Sequence, residues 1–477
     1  MTPADADPQL ITEGAPLVNG IDWTTGETLP PPSPFALIKD IDTDPDDVRR
    51  RAETGGEFGL STADIEDPDD LRQTGWGVLF GANVRAEVKA QLTPLLEHRA
   101  KQAHPFKVFE GVHGSTAEDV RIWLAEQNVG FATVNPAAGV PFYLLIVASP
   151  EDISFEFQYM LDTYWAVGRL HFDSTDGYQR YAEQVVDYET ASAVAISRTV
   201  GIFAPRNPGD RSTTLLFHQV VRPLAEGAQL FRPLGERQNF TLRIAVGEEA
   251  TKDNLRAMLA GSGGSRPAFL FTGSHGAYAN ATVPNRLDRI GSLVTQEWEG
   301  AGSPLSEACC YSAVDLERDN SDLRGLIHFS FACYSAGCPT FDTYALQLDG
   351  TRRRLLDNNI VSRLPQRSLE RGALAVLGHV DRAFSYSFHN DRFVPQIQDM
   401  REVMVNVLRG WRIGRATDQF NLRWAVLSAA LSDALRDGPH TGISEAALAT
   451  QWVARDDARN YVILGDPAVR LRVEDMK

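Results

Sequence analysis

The chain has 477 residues, 43% hydrophobic and 23% charged, the balance of a soluble globular protein with room for two or three domains, which excludes overall disorder. Its net charge of −17 is uneven, because the first 70 residues hold seventeen acidic and four basic side chains, a net of −13, and leave −4 to the other 407. An acidic leader repels a phosphate backbone and no basic cluster interleaved with aromatics follows it, so nucleic acid is not an expected partner.

In chain order, residues 1–70 contain Pro30-Pro31-Pro32-Ser33-Pro34 and several Asp-Pro steps, and read as a largely irregular leader. It is open to two readings, a removable inhibitory segment and a solvated tail, with Phe35–Ile41 as a stretch able to pack in extended form. The opening MTPADADPQL lacks the basic residues and apolar core of a signal peptide. No apolar run reaches the roughly 18 residues of a membrane span. The expectation is a cytoplasmic protein without membrane contact.

Order is expected from near Trp76. Val84, Val88, Leu92, Leu95 and Leu96 have helical spacing up to about Arg99, with Pro94 disturbing the last turns. Ser115 or Thr116 caps a second helix whose first turn carries Glu118 and Asp119. Phe142–Ala148 is an almost unbroken apolar run, as a strand buried on both faces of a parallel sheet requires. Tyr164–Leu170 reads as a neighbouring strand and Asp176–Tyr188 as a helix. Residues 71–190 are thus expected to form an N-terminal α/β subdomain.

Residues 191–477 repeat the pattern, with strands at Phe240–Val246, Ala268–Thr272, Leu326–Phe331, Ala373–Leu377 and Tyr461–Leu464. Helices are expected at Ala250–Leu259, before Arg371, and at Ile397–Leu408 and Asn421–Leu435. Alternation of this kind predicts an α/β fold, an open and mostly parallel sheet covered by helices on both faces. Ligands then meet the carboxyl ends of the strands.

Two strand ends carry reactive groups. FLFTGSHG (269–276) ends in His275 and Gly276, and IHFSFAC (327–333) ends in Cys333. If the strands are neighbours, imidazole and thiol reach one cleft, where a thiolate can attack while the imidazole handles protons. Gly276, without a side chain, can bring its N–H close to a substrate and hold a developing oxyanion together with the Cys333 N–H. Either residue alone would read as a core thiol or a turn histidine. The pair is more specific, since the 58-position separation approaches the about 50 residues of the caspase signature.

These blocks resemble the caspase-like cysteine peptidases, in particular the gingipain-type and CHAT-domain bacterial proteins. The likeness extends to Tyr164–Arg169, to Gly372–Val380 and to the terminal Leu464-Gly465-Asp466-Pro467. The resemblance implies an endopeptidase with a His275–Cys333 dyad, no cofactor, no metal and a protein or peptide substrate; it leaves any activating partner unassigned. The chain lacks the Gln that precedes Ala-Cys in caspases, which removes the warrant for Asp specificity. By the same resemblance Asp162 would lie at the base of a pocket selecting Arg or Lys before the cut bond. The segment Gly378–Ser387 would line the groove and pair with substrate backbone, with Asp381, Ser385 and Tyr386 as binding residues.

Other candidates are weaker. His113-Gly114 is followed at once by a helix cap, His328 falls on the strand face opposite Cys333, and Cys338 lies in a Gly-Cys-Pro loop. Cys309, Cys310, Cys333 and Cys338 match neither a disulfide framework nor a metal-ligand spacing, and Gly261–Gly264 lacks the Lys-Ser/Thr of a phosphate loop. Residues 277–325 form a long connection whose arginines could be nicked in self-processing. No third residue orienting His275 can be named. The competing reading is a catalytically inactive scaffold that binds an extended peptide.

Overall fold

A computed structural model describes residues 17–31, 65–194, 196–229, 231–346, 351–390 and 394–477; the Phe35–Ile41 stretch lies outside them. The buried apolar runs become strands. In chain order these are β1 (Trp76–Gly81), β2 (Phe106–Val112), β3 (Tyr143–Val147), β4 (Ala166–Leu170), β5 (Thr199–Ala204), β6 (Thr241–Val246), β7 (Phe269–Gly273), β8 (Ile327–Phe331), β9 (Ala375–His379) and β10 (Tyr461–Gly465). They form one ten-stranded sheet in the order β2-β1-β3-β4-β10-β9-β8-β7-β5-β6. The central strands are buried along their whole length because helices flank the sheet, which makes this an α/β fold.

Every neighbouring pair is parallel except β9 with β10. The four strands before residue 191 therefore join β10 and run opposite to β5–β9. Their carboxyl ends leave one edge of the sheet, and those of β7, β8 and β9 leave the other. Asp162, just ahead of β4, comes by this reversal to the same edge as His275 and Cys333.

Helix limits follow local chemistry. The run from Val84 splits into Ala86–Gln91 and Thr93–Gln102, because Pro94 has no N–H to continue the first helix but suits the start of the second. Thr116 and Asp119 form a reciprocal capping box for Ala117–Glu126. Among the described residues no helix is long and apolar enough to cross a membrane.

One expectation needs correction. Residues 17–31, inside the leader read as irregular, are built into the body. Gly20–Asp22 pairs in parallel with Gly276–Tyr278, which in turn pairs with Leu293–Val294. Ile21 is fully buried with Ala277, Val294, Trp298 and Leu305, and the segment folds back on itself through Leu29 N–H to Gly20 O at 2.9 Å. Its apolar residues are too few to announce an element, yet burying Ile21, Val18 and Leu29 offsets the cost of ordering it.

Candidate active site

β7 and β8 are adjacent and in register from Phe269–Ile327 to Gly273–Phe331, so the residues that follow leave the sheet side by side. His275 and Cys333 are both fully buried. The approach beyond the strands is tight: a Cβ on Gly276 would lie 1.9 Å from the Cys333 carbonyl oxygen, so only glycine fits there. After Cys333 the chain turns sharply, with Tyr334 at φ 58° and Asp381 opposite it at φ 67°. Non-glycine residues seldom occupy this region. The turn is held by the Tyr334 N–H donating to Asp381 O at 2.7 Å and by Ser362 Oγ donating to Tyr334 O at 2.5 Å.

This geometry aims two backbone N–H groups at one point, which is filled by the carbonyl oxygen of Asn19. Gly276 N–H donates to it at 2.9 Å and Cys333 N–H at 3.0 Å. The next residue, Gly20, lies against the thiol: a Cβ there would be 2.7 Å from Cys333 Sγ. On the amino-terminal side the segment runs antiparallel to Ala383–Ser385. Asn19 N–H donates to Ala383 O at 2.9 Å, Val18 bridges Phe384, and Ser385 N–H donates to Leu17 O at 3.0 Å. Ser385 Oγ accepts from Leu17 N–H at 3.3 Å, and Ser212 Oγ donates to Val18 O at 3.1 Å.

Asp210 is the residue the sequence reading missed. Its Oδ2 lies 2.8 Å from His275 Nε2, which leaves Nδ1 without a hydrogen-bond partner among the described residues. The same carboxylate caps helix Arg211–Leu216, accepting from Thr213 N–H at 2.8 Å. Burial alone would raise its pKa, but the His275 charge and the hydrogen bonds from His275 and Thr213 prevail and hold it at about 2. Trp298 packs edge-on against the imidazole, with ring centres 5.7 Å apart. The available signal was the Asp-x-x-Thr cap after β5.

At Cys333 burial dominates and pushes the thiol well above its ordinary pKa, while the Ala383 N–H, donating to Sγ at 3.2 Å, pulls the other way. Burial also raises Asp381, to about 7, with Asp342 adding to the rise. Asp381 accepts from Thr343 Oγ1 and from Arg382 N–H, so it braces the turn. Tyr386 packs on His389 at 5.6 Å, and its carbonyl accepts from Arg423 at 2.5 Å. Arg382, buried and paired with Asp342, also donates to Pro30 O at 2.5 Å and so ties down the far end of the inserted segment.

Asp162 accepts from the Val167 N–H at 2.9 Å; burial, the leading influence, raises its pKa to about 8. It caps a turn and shares no hydrogen-bond partner with His275 or Cys333. His328 Nε2 meets Thr272 Oγ1 at 2.9 Å inside the sheet, and burial lowers its pKa to about 4. His113 is exposed, and Cys338 is a buried free thiol.

No protein-family model matches the chain, and no curated protein matches it. Solved structures do. One described as the structure of a protease is 14% identical, covers 83% of this chain and 78% of its own, and superposes with a TM-score of 0.48. A complex of the pro- and mature domains of RgpB from Porphyromonas gingivalis is 10% identical, with coverage of 84% and 80% and a TM-score of 0.47. Both neighbours are proteases, and both likenesses are remote.

Proposed function

We propose that the chain is a cysteine endopeptidase. Cys333 is the nucleophile, His275 takes its proton through Nδ1 and returns it to the leaving amine, and Asp210 fixes the imidazole by its Nε2 edge. The N–H groups of Gly276 and Cys333 stabilise the oxyanion. The observation that carries the reading is the Asn19 carbonyl, a peptide group held between those two donors with the following residue against Sγ. The backbone pairing of Leu17–Asn19 with Ala383–Ser385 supports extended substrates bound by strand addition.

A preference for Arg or Lys through Asp162 gains no support, since that carboxyl already caps the Val167 N–H and burial favours its neutral form. The residue whose carbonyl accepts from the two N–H donors is an asparagine, Asn19.

Digestion of a peptide library by wild type and by Cys333→Ala tests the reading. Cuts that vanish in the variant are expected, together with labelling of Cys333 by a thiol-directed peptidyl inhibitor that is lost in His275→Ala. Equal labelling of all four cysteines and no Cys333-dependent cut would favour the scaffold reading.

A further inference from the structure

We propose that Asn19–Gly20 is this enzyme's own scissile bond, so that the chain cuts itself after Asn19, and that the site takes peptides with a small uncharged residue before the cut. The inference rests on the peptidase reading above and names the substrate of that same site.

Three observations converge on this one bond. The carbonyl is already polarised, with two N–H donors at 2.9 and 3.0 Å. The backbone is gripped on both sides of it, by Ala383–Ser385 before the bond and by Gly276–Tyr278 after it. The sulfur lies beside the bond, since Gly20 has no room for a Cβ against Sγ. An inhibitory strap that merely blocked the cleft would need none of these alignments. A segment held in the near-attack geometry of a substrate has all of them.

The Asn19 side chain is fully buried, and neither its Oδ1 nor its Nδ2 has a hydrogen-bond partner among the described residues. An enclosed place of this kind tolerates a small neutral amide. An ammonium or guanidinium that took the place of the amide there would be a buried charge at a point where the described residues supply no hydrogen-bond partner. The unpaired amide also raises the energy of the bound segment, which favours its departure once the bond is cut.

The chemistry balances with water as the only co-reactant. The Cys333 proton passes to His275 Nδ1 and the sulfur bonds to the Asn19 carbonyl carbon. The carbon–nitrogen bond to Gly20 then breaks and takes the proton from His275 as the new α-amine. Water, deprotonated by His275, hydrolyses the thioester, freeing the Asn19 carboxylate and restoring the thiol. Residues 20–31 stay anchored through Ile21, the Leu29–Gly20 hydrogen bond and Arg382. Residues 1–19 lose their covalent tie to Gly20, while Leu17–Asn19 keep their backbone hydrogen bonds to Gly276, Cys333 and Ala383–Ser385.

The test follows purified full-length chain by intact mass and amino-terminal sequencing, with a peptide containing Leu-Val-Asn-Gly-Ile present in the same tube. Expected is loss of residues 1–19 with Gly20 as the new terminus, at a rate independent of protein concentration. The cut should be absent in Cys333→Ala and in the volume-matched Cys333→Ser, and at least tenfold slower in Asn19→Lys. Cys333-dependent cutting of the peptide while Asn19–Gly20 stays intact overturns the self-cleavage and leaves the peptidase reading standing. No Cys333-dependent cut in either overturns both. Asn19→Lys processed as fast as wild type overturns the preference for a small uncharged residue.

Discussion

The Asp210 carboxylate grips His275 by Nε2 at 2.8 Å, which leaves Nδ1 as the end of the ring that would exchange a proton with the thiol in the proposed mechanism. Asp210→Asn reverses this. Its amide N–H would donate to Nε2 and force the ring proton onto Nδ1, the wrong tautomer for a base. The expected result is a fall in kcat of about 10²–10⁴-fold with little change in KM. Stability adds a pH signature. Because the folded pKa is depressed to about 2, the carboxylate's contribution is present above its ordinary value of ~4 and is lost as pH falls towards 2. Wild type and variant should therefore converge in urea-denaturation midpoint on acidification from pH 6 to pH 3.

The residues that can be found from sequence and those that cannot differ for a physical reason. β7 and β8 are dense in large apolar residues, Phe269, Leu270 and Phe271 in one and Ile327, Phe329 and Phe331 in the other, so their ends, and with them His275 and Cys333, stand out. β1 and β5 are interrupted by Gly77 and Gly201 and go unrecognised, although both are fully buried. Missing β5 hides the helix that starts after it, where Asp210 is the cap and Ser212 lies in the first turn. Asn19 is hidden differently. It belongs to no periodic pattern, and its place depends on backbone hydrogen bonds to residues more than 250 positions away, which no local signal records. Asp162 shows the reverse error, a carboxyl of the right type on the right edge of the sheet that accepts from the Val167 N–H.

Gly276 should tolerate no side chain. A Cβ 1.9 Å from the Cys333 carbonyl oxygen must push the two strand ends apart, which separates the paired N–H donors. Gly276→Ala is expected to lower kcat about 10²-fold or more, the usual loss for one oxyanion donor, and to destabilise the fold by about 1–3 kcal/mol. Peptide cleavage and urea denaturation measure the two effects. Full activity in the variant would remove Gly276 from the site.

Gly20→Ala acts from the other side of the same cleft. The added methyl would sit 2.7 Å from Sγ and 2.6 Å from the Leu29 side chain, so the inserted segment has to lift away. With the strap displaced, water reaches the thiol and the burial that raises its pKa is relieved. Alkylation of Cys333 by iodoacetamide, followed by peptide mapping at pH 7.5, should be at least tenfold faster than in wild type. Cys338, buried in the short strand Gly337–Cys338 and not in the loop expected from sequence, serves as the internal reference and should not change. Equal rates at Cys333 in the two proteins would show that this close approach does not hold the strap.

Asp162 gives the last prediction, one that separates a structural carboxyl from a specificity group. Its folded pKa is raised to about 8, chiefly by burial, so the native state holds a proton that the unfolded chain has released above ~4. Stability therefore falls as pH rises from about 4 to about 8, because the native state binds more protons across that window. Asp162→Asn keeps a carbonyl to accept from the Val167 N–H and removes the titration. The variant should match wild type near pH 4.5 and be the more stable protein at pH 8, with a shallower dependence of Tm on pH between them. Its relative rates on Arg-, Lys- and Asn-containing peptides should be unchanged. A selective loss of Arg and Lys cleavage in Asp162→Asn would restore the carboxyl to the substrate pocket.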